Sequence, residues 1–203
     1  MKPFDMLDPR IVAALSELGI NEPSEAQRQV IPRLMRGEQV LLVAPTGIGK
    51  TEAAMLPILH DLLASGAAGF SVLYITPLRA LNRDMLRRLE WFGDRLGITV
   101  GVRHGDTTQH ERNKQSKHPP QILITTPETF QIMFTGANLI RHMRNVRWVV
   151  VDEIHELAQD ERGAQLSIGM ERLSDIVEEP FTRGGLSATV GSPGEVARFL
   201  QGG

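Results

Sequence analysis

The stretch at residues 40–52 constrains the fold most, because an apolar run of strand type leads there through a glycine-rich loop into a helix-forming segment. The loop ends in Gly49-Lys50-Thr51, and its glycines let successive backbone N–H groups turn towards a phosphate. In such loops the lysine is a mobile cation for the outer phosphates, and the threonine hydroxyl is a ligand for Mg²⁺. Only the first position, Ala44, departs from the usual G-x-x-x-x-G-K-[ST] pattern. The stretch therefore predicts a strand–loop–helix phosphate site.

The nucleotide contacts predicted from this pattern belong to the loop and the first helical turn. They are Thr46, Gly47, Ile48, Gly49, Lys50, Thr51 and Glu52.

Apolar strands alternate with amphipathic helices along the rest of the chain. The pattern predicts strands at about 39–43, 72–75, 98–103, 121–125, 146–151 and 185–187. It predicts helices at about 8–18, 24–35, 50–64, 78–92, 107–116, 128–134, 163–178 and 193–200, and a polar surface loop over 112–120. This order is typical of an α/β fold with a mostly parallel sheet and helices on both faces. Ligands of such sheets bind beyond the carboxyl ends of the strands.

The composition excludes several classes of site. The chain has no cysteine, so disulfides and zinc–thiolate sites are excluded, and its six histidines lack metal-ligand spacing. Charged residues within the first 20 positions exclude the apolar core of a signal peptide. No apolar run approaches the ~20 residues that a membrane span needs. With 22 basic and 24 acidic residues, the chain has no net positive charge that would by itself indicate a nucleic-acid partner. We expect a soluble, cytoplasmic protein without a membrane partner.

Two adjacent carboxylates, Asp152 and Glu153, follow the apolar run at 148–151. Carboxylates at the end of a buried strand are unfavourable unless a cation offsets their desolvation. Mg²⁺ held by Asp152 together with Thr51 would do so, while Glu153 would orient or deprotonate an attacking water. With Lys50, these two carboxylates are the predicted catalytic residues. The alternative is a solvated helix start, where acidic side chains favour the helix dipole.

Hydroxyl groups also precede two proline-opened helices, at 76–78 and 125–128. Hydroxyls and free N–H groups at a helix start suit the phosphates of a nucleic-acid backbone. The predicted contacts are Thr76, Arg79, Thr126 and Glu128, with Arg103 after another strand. Simple helix capping is the alternative.

The motifs together resemble those of superfamily 2 helicases. The strings A-P-T-G-I-G-K-T (44–51), D-E-I-H (152–155) and S-A-T (187–189) resemble motifs I, II and III, in that order. The strings at 76–81 and 125–128 are similar to motifs Ia and Ib, and Phe4, Gly19, 22–24 and Gln27 to the Q motif of DEAD-box proteins.

This resemblance implies a RecA-like P-loop NTPase domain that uses ATP and Mg²⁺. It implies that Gln27 reads the adenine edge and that Phe4 packs near the base. It also implies that His155, Ser187 and Thr189 couple the nucleotide site to a second domain.

Within the superfamily, the chain is most similar to the large helicase-related (Lhr-type) branch of the DExH group. The similarity lies in D-E-I-H, H-G-D-T (104–107), E-R-G (161–163) and G-L-S-A-T-V (185–190). The branch implies ATP-driven 3′-to-5′ translocation on single-stranded DNA. The expected partner is therefore single-stranded or partly duplex nucleic acid, with DNA favoured and RNA possible.

The resemblance also predicts the domain organisation. Residues 1–36 are expected to form a helical extension with the Q-motif-like segment, and residues 37–203 the RecA-like ATP-binding domain. In this superfamily a second RecA-like domain supplies an arginine finger, worth about 10³–10⁵ in rate in related P-loop systems. We therefore expect this segment to bind ATP but hydrolyse it poorly. The alternatives are an RNA helicase of the DExH/DEAD-box type, a phosphate-loop kinase, or a nucleotide-gated nucleic-acid-binding module.

Overall fold

The computed structural model describes residues 2–81, 83–157, 161–188, 194, 196–197 and 200. In this part of the chain, six strands form one sheet in the order β1-β6-β5-β2-β4-β3, and every neighbouring pair is parallel. The strands are β1 (Val40–Val43), β2 (Val72–Ile75), β3 (Val100–Arg103), β4 (Ile122–Thr125), β5 (Trp148–Val151) and β6 (Thr182–Ser187). The predicted parallel α/β fold is confirmed.

Helices connect the strands and precede the first one. They are α1 (Pro9–Glu17), α2 (Glu25–Met35), α3 (Lys50–Ser65), α4 (Arg83–Leu96), α5 (Gln109–Lys117), α6 (Pro127–Met133), α7 (Ala137–Met143), α8 (Ile154–Leu157) and α9 (Glu161–Ile176). Single 3₁₀ turns lie at Pro3–Met6 and Leu78–Ala80. No helix in the described ranges is both long and apolar enough to cross a membrane.

The sheet is covered on both faces, and each face has its own apolar core. Tyr74, Ile124 and Val150 contribute to one core, together with residues of α1 to α4. Their strand neighbours Leu73 and Val149 contribute to the other, together with residues of α6 to α9. Since side chains alternate along a strand, a sheet buried on both sides requires the continuous apolar runs seen in the sequence.

The structure corrects several predicted elements. The helix predicted over 78–92 is a 3₁₀ turn followed by α4, because Leu81 leaves the helical region with ψ 76°. The surface loop predicted over 112–120 is wrong for residues 112–117, which lie in α5; Thr108 caps that helix by accepting the Glu111 N–H.

Two short helices, α7 and α8, were not predicted, and β6 is longer than predicted. The pair Gly184-Gly185 interrupts the apolar pattern of that strand. Most of the helix predicted over 193–200 lies outside the described residues.

Helix α4 approaches the chain before β3 through Gly93, whose carbonyl accepts the Ile98 N–H at 2.9 Å. A Cβ at position 93 would lie 2.5 Å from the backbone oxygen of Ile98. We expect Gly93→Ala to lower the free energy of unfolding by about 1–3 kcal/mol, because a backbone atom must move. Urea unfolding measures this change. Gly105→Ala is the control, since a Cβ there has no atom within 4 Å; equal stabilities of the two variants would contradict the prediction.

Candidate functional site

Parallel pairing brings the ends of four strands together at one edge of the sheet. Val43 of β1 pairs with Ser187 of β6, Gly185 pairs with Val151 of β5, and Val151 pairs with Ile75 of β2. The segments that follow these strands therefore lie side by side. A cleft of about 380 Å³ at this edge is lined by residues of the loop at 46–52, of α3 and α4, and by Asp152 and Glu153.

The loop has the conformation that a phosphate site requires. Gly47 and Gly49 have φ values of 85° and 82°, which favour glycine over residues with a side chain. Helix α3 begins directly after Gly49, which has no side chain to cap it, so the N–H groups of the first turn are left for an anion. Thr46, Gly47 and Ile48 are exposed.

Lys50 is buried at 8% exposure, and its Nζ donates to the backbone oxygen of Ala44 at 2.6 Å. This bond holds the cation against the loop. It also explains why alanine is compatible with the first position of the pattern, because that residue contributes its carbonyl and not its side chain.

Asp152 directly follows β5 and is 8% exposed. Its Oδ1 accepts the Glu153 N–H at 2.8 Å, and its Oδ2 accepts the hydroxyl of Tyr74 at 2.6 Å. Burial raises the pKa of Asp152, while these two donors and the charge of Lys50 oppose the increase. The site therefore holds a desolvated carboxylate next to a cation.

Glu153 has a backbone φ of 48°, the only positive value at a non-glycine residue in the described ranges. Burial, and next the charge of Asp152, raise the pKa of Glu153. His155 lies close by, with its Nδ1 3.5 Å from Glu153 Oε2 and 2.9 Å from Ser187 Oγ. The structure thus brings together predicted residues of the phosphate loop, of 152–155 and of the end of β6. Thr189 lies outside the described residues.

Gln27 lies over the phosphate loop although 22 positions separate it from Gly49. Its Nε2 is 2.7 Å from the position that a Cβ of Gly49 would take. Its Oε1 accepts the Ser24 N–H at 3.0 Å, which caps α2. Phe4 is buried in the core with α1, and its contact with a base stays a prediction.

The predicted nucleic-acid contacts are mostly buried. Thr76, Thr126 and Arg103 are 0%, 3% and 9% exposed. Thr126 caps α6 by accepting the Thr129 N–H, and Arg103 donates to the backbone oxygen of Arg112. Glu128 is exposed, and the side chain of Arg79 lies outside what the structure describes. The alternative of helix capping therefore holds for Thr126.

Sequence reasoning missed two residues of the site, Tyr74 and Arg88. The phenol of Tyr74 donates to Asp152; burial first, and then the charge of Asp152, raise the pKa of Tyr74. Arg88 of α4 forms an ion pair with Glu52, whose side chain is 8% exposed. A tyrosine within an apolar strand indicates packing, and an arginine on a polar helix face indicates solvent, so neither had a local signal.

The oxygen atoms of Thr51 and Asp152 suit Mg²⁺, which binds proteins through one or two carboxylates and completes its shell with phosphates and water. Both residues line the cleft beside the loop. Within the described ranges, no group of three or more acidic or histidine residues could hold a metal ion. A metal ion here would thus share its coordination with a phosphate ligand.

Comparison with known proteins gives concordant results. Residues 24–196 match the DEAD/DEAH box helicase family. Over 195 residues the chain is 45% identical to the ATP-dependent helicase Lhr-Core of Methanothermobacter thermautotrophicus, a match that covers 88% of this chain and 22% of that protein. The chain therefore spans about a fifth of that relative's length.

Two solved structures are similar throughout the chain. Mycobacterium smegmatis helicase Lhr bound to ssDNA and AMP-PNP has a TM-score of 0.88 at 38% identity, covering 98% of this chain and 27% of that one. The DUF1998 helicase MrfA bound to DNA and AMPPNP has a TM-score of 0.85 at 28% identity, covering 97% and 28%. These matches confirm the predicted RecA-like fold and the resemblance to the Lhr-type branch.

The ion pair between Glu52 and Arg88 joins α3 to α4 beside the cleft. We expect Arg88→Met to lower the free energy of unfolding by roughly 1–3 kcal/mol, because the buried Glu52 carboxylate loses its cation. Replacing Glu52 with glutamine in the same protein should restore part of the loss. Urea unfolding of the single and double variants measures both changes. Arg87→Met, at an exposed position of the same helix, is the control; an equal effect would contradict a role for the pair.

Proposed function

The chain belongs to the DEAD/DEAH box helicase family, and we propose that it is the ATP-binding motor segment of a longer ATP-dependent nucleic-acid helicase. The observation that carries this proposal is the convergence of the phosphate loop, Asp152-Glu153 and the His155–Ser187 contact at one edge of the sheet. In this proposal residues 1–36 are a helical extension, and residues 37–203 are the RecA-like domain.

The proposed roles follow from the geometry of the cleft. Lys50 and the backbone N–H groups of 47–51 bind the phosphates, and Gln27, which contacts the loop, reads the adenine. Thr51 and Asp152 hold Mg²⁺, which when bound would offset charge on the phosphate oxygens. Glu153 orients or deprotonates the attacking water, and its raised pKa suits a proton acceptor. His155 and Ser187 transmit the nucleotide state.

The proposed partner is single-stranded or partly duplex nucleic acid, with DNA favoured. This choice is supported by the Lhr and MrfA structures, which are described as bound to ssDNA and DNA. The proposed direction is 3′ to 5′. Glu128 and Arg79 remain in the proposed contact surface, whereas Arg103 does not, because it is buried and bonded to the next helix.

We also propose that this segment alone hydrolyses ATP slowly. Of the described residues that line the cleft, Lys50 and Arg88 are the basic ones, and Arg88 is paired with Glu52. An arginine that stabilises the reacting phosphate would thus have to come from a second RecA-like domain of the longer protein.

The phosphate site is tested by Lys50→Ala in the full-length protein. We expect the affinity for ATP to fall about 10–100-fold, since a charged hydrogen-bond donor to the phosphates is lost. Titration with a fluorescent ATP analogue measures the affinity. Lys117→Ala, which removes an exposed lysine of α5, should leave it unchanged. Unchanged binding by Lys50→Ala would exclude the loop as the phosphate site.

The catalytic role is tested by Glu153→Gln, also in the full-length protein. We expect ATP binding to persist while nucleic-acid-stimulated turnover falls about 10²–10⁴-fold, because the general base is lost. Phosphate release with single-stranded DNA, single-stranded RNA or no nucleic acid measures turnover. Stimulation by RNA alone would favour an RNA helicase. Equal turnover with and without nucleic acid would contradict the motor proposal.

A further inference from the structure

The phenol of Tyr74 contacts Asp152, one of the two side chains to which the proposed function assigns Mg²⁺. Tyr74 lies on β2, next to β5 in the sheet, and its side chain is fully buried. Its hydroxyl donates to Asp152 Oδ2 at 2.6 Å. This bond links β2 to the carboxylate that follows β5.

We propose that Tyr74 is a positioning residue of the metal–nucleotide site, which holds the Asp152 carboxylate in the orientation that a phosphate-bound divalent cation requires. This inference rests on the proposed function and adds to it a residue from β2.

The direction of the hydrogen bond supports this role. A phenol has a single proton, and here Tyr74 donates it to Asp152. A carboxylate oxygen has two lone-pair sites, so Oδ2 can accept this bond and still bind a cation. The bond from Tyr74 thus sets the orientation of the carboxylate without occupying all of its acceptor sites.

Asp152 is held at two points. The Glu153 N–H binds Oδ1 at 2.8 Å while Tyr74 binds Oδ2, so the plane of the carboxylate is fixed. The tyrosine is a rigid support, because its ring lies in the apolar core formed with α3 and the neighbouring strands. Residues that hydrogen-bond to a metal ligand, without binding the metal themselves, typically contribute about 10–100-fold to metal affinity or activity.

Tyr74→Phe in the full-length protein tests the proposal, because it removes the hydroxyl and keeps the ring that the core requires. Binding of a fluorescent ATP analogue is measured with excess Mg²⁺ and again in EDTA. We expect affinity with Mg²⁺ to fall about 10–100-fold and affinity in EDTA to stay within about twofold. The concentration of Mg²⁺ at half-maximal binding should rise accordingly.

Ser71→Ala is the matched control. Ser71 lies before the start of the same strand, is 2% exposed, and donates its hydroxyl to the backbone oxygen of Gly69. This variant also loses a buried hydroxyl, but far from the cleft, and should bind nucleotide like the wild type under both conditions. If Tyr74→Phe also matched the wild type, or if its affinity fell equally with Mg²⁺ and in EDTA, the positioning role would be overturned.

A second measurement does not depend on the stability of the phenylalanine variant. Incorporation of 3-fluorotyrosine at position 74 keeps the hydroxyl and gives one ¹⁹F signal. We expect ATP analogue with Mg²⁺ to shift this signal, and the analogue in EDTA to shift it much less. Equal shifts would overturn the inference while leaving the proposed function intact. If the wild-type protein bound no nucleotide under either condition, the proposed function would fail as well.

Discussion

The parallel pairing of β1, β6, β5 and β2 is the constraint on which the site depends. Since all strands run in the same direction, their carboxyl ends meet at one edge, and segments separated by more than 100 residues become neighbours. Such a sheet is stable only when both faces are buried. The two apolar cores therefore do more than stabilise the fold, because they fix the register that pairs Val43 with Ser187 and Ile75 with Val151.

Because this edge of the sheet is buried, the polar groups of the cleft need hydrogen-bond partners. Lys50, Asp152 and Gln27 are all less than a tenth exposed, and an unpaired polar group at that depth would be costly. Lys50 donates to a loop carbonyl, Asp152 accepts from Tyr74 and the Glu153 N–H, and Gln27 caps α2. These bonds keep the side chains close to the positions from which they could bind a phosphate or a metal ion.

The sequence predicted the elements that show a clear pattern among neighbouring residues. It missed short elements and the contacts between residues that are distant along the chain. Buried parallel strands are continuous apolar runs, and the phosphate loop requires glycines, so both were found. Helices α7 and α8, of seven and four residues, are too short to show a periodicity and lack the proline that marks the start of α6, and two glycines interrupt β6, whose first half was missed. Tyr74 and Asp152 are 78 positions apart, and Glu52 and Arg88 are 36 apart; no spacing along the chain encodes such pairs.

The backbone at Glu153 shows how packing maintains a conformation that suits the site. The Asp152 N–H still continues the pairing of β5 with β2, by donating to the Ile75 carbonyl at 2.8 Å, and the chain then turns sharply at Glu153. Its left-handed backbone costs a residue with a side chain about 1–2 kcal/mol, a cost that glycine avoids. The buried side chains of Ile154 and Leu157 and the bond from the Glu156 N–H to the Glu153 carbonyl hold the turn. Because glycine would suit this backbone better, a carboxylate at position 153 is consistent with the role in the cleft that we propose for Glu153.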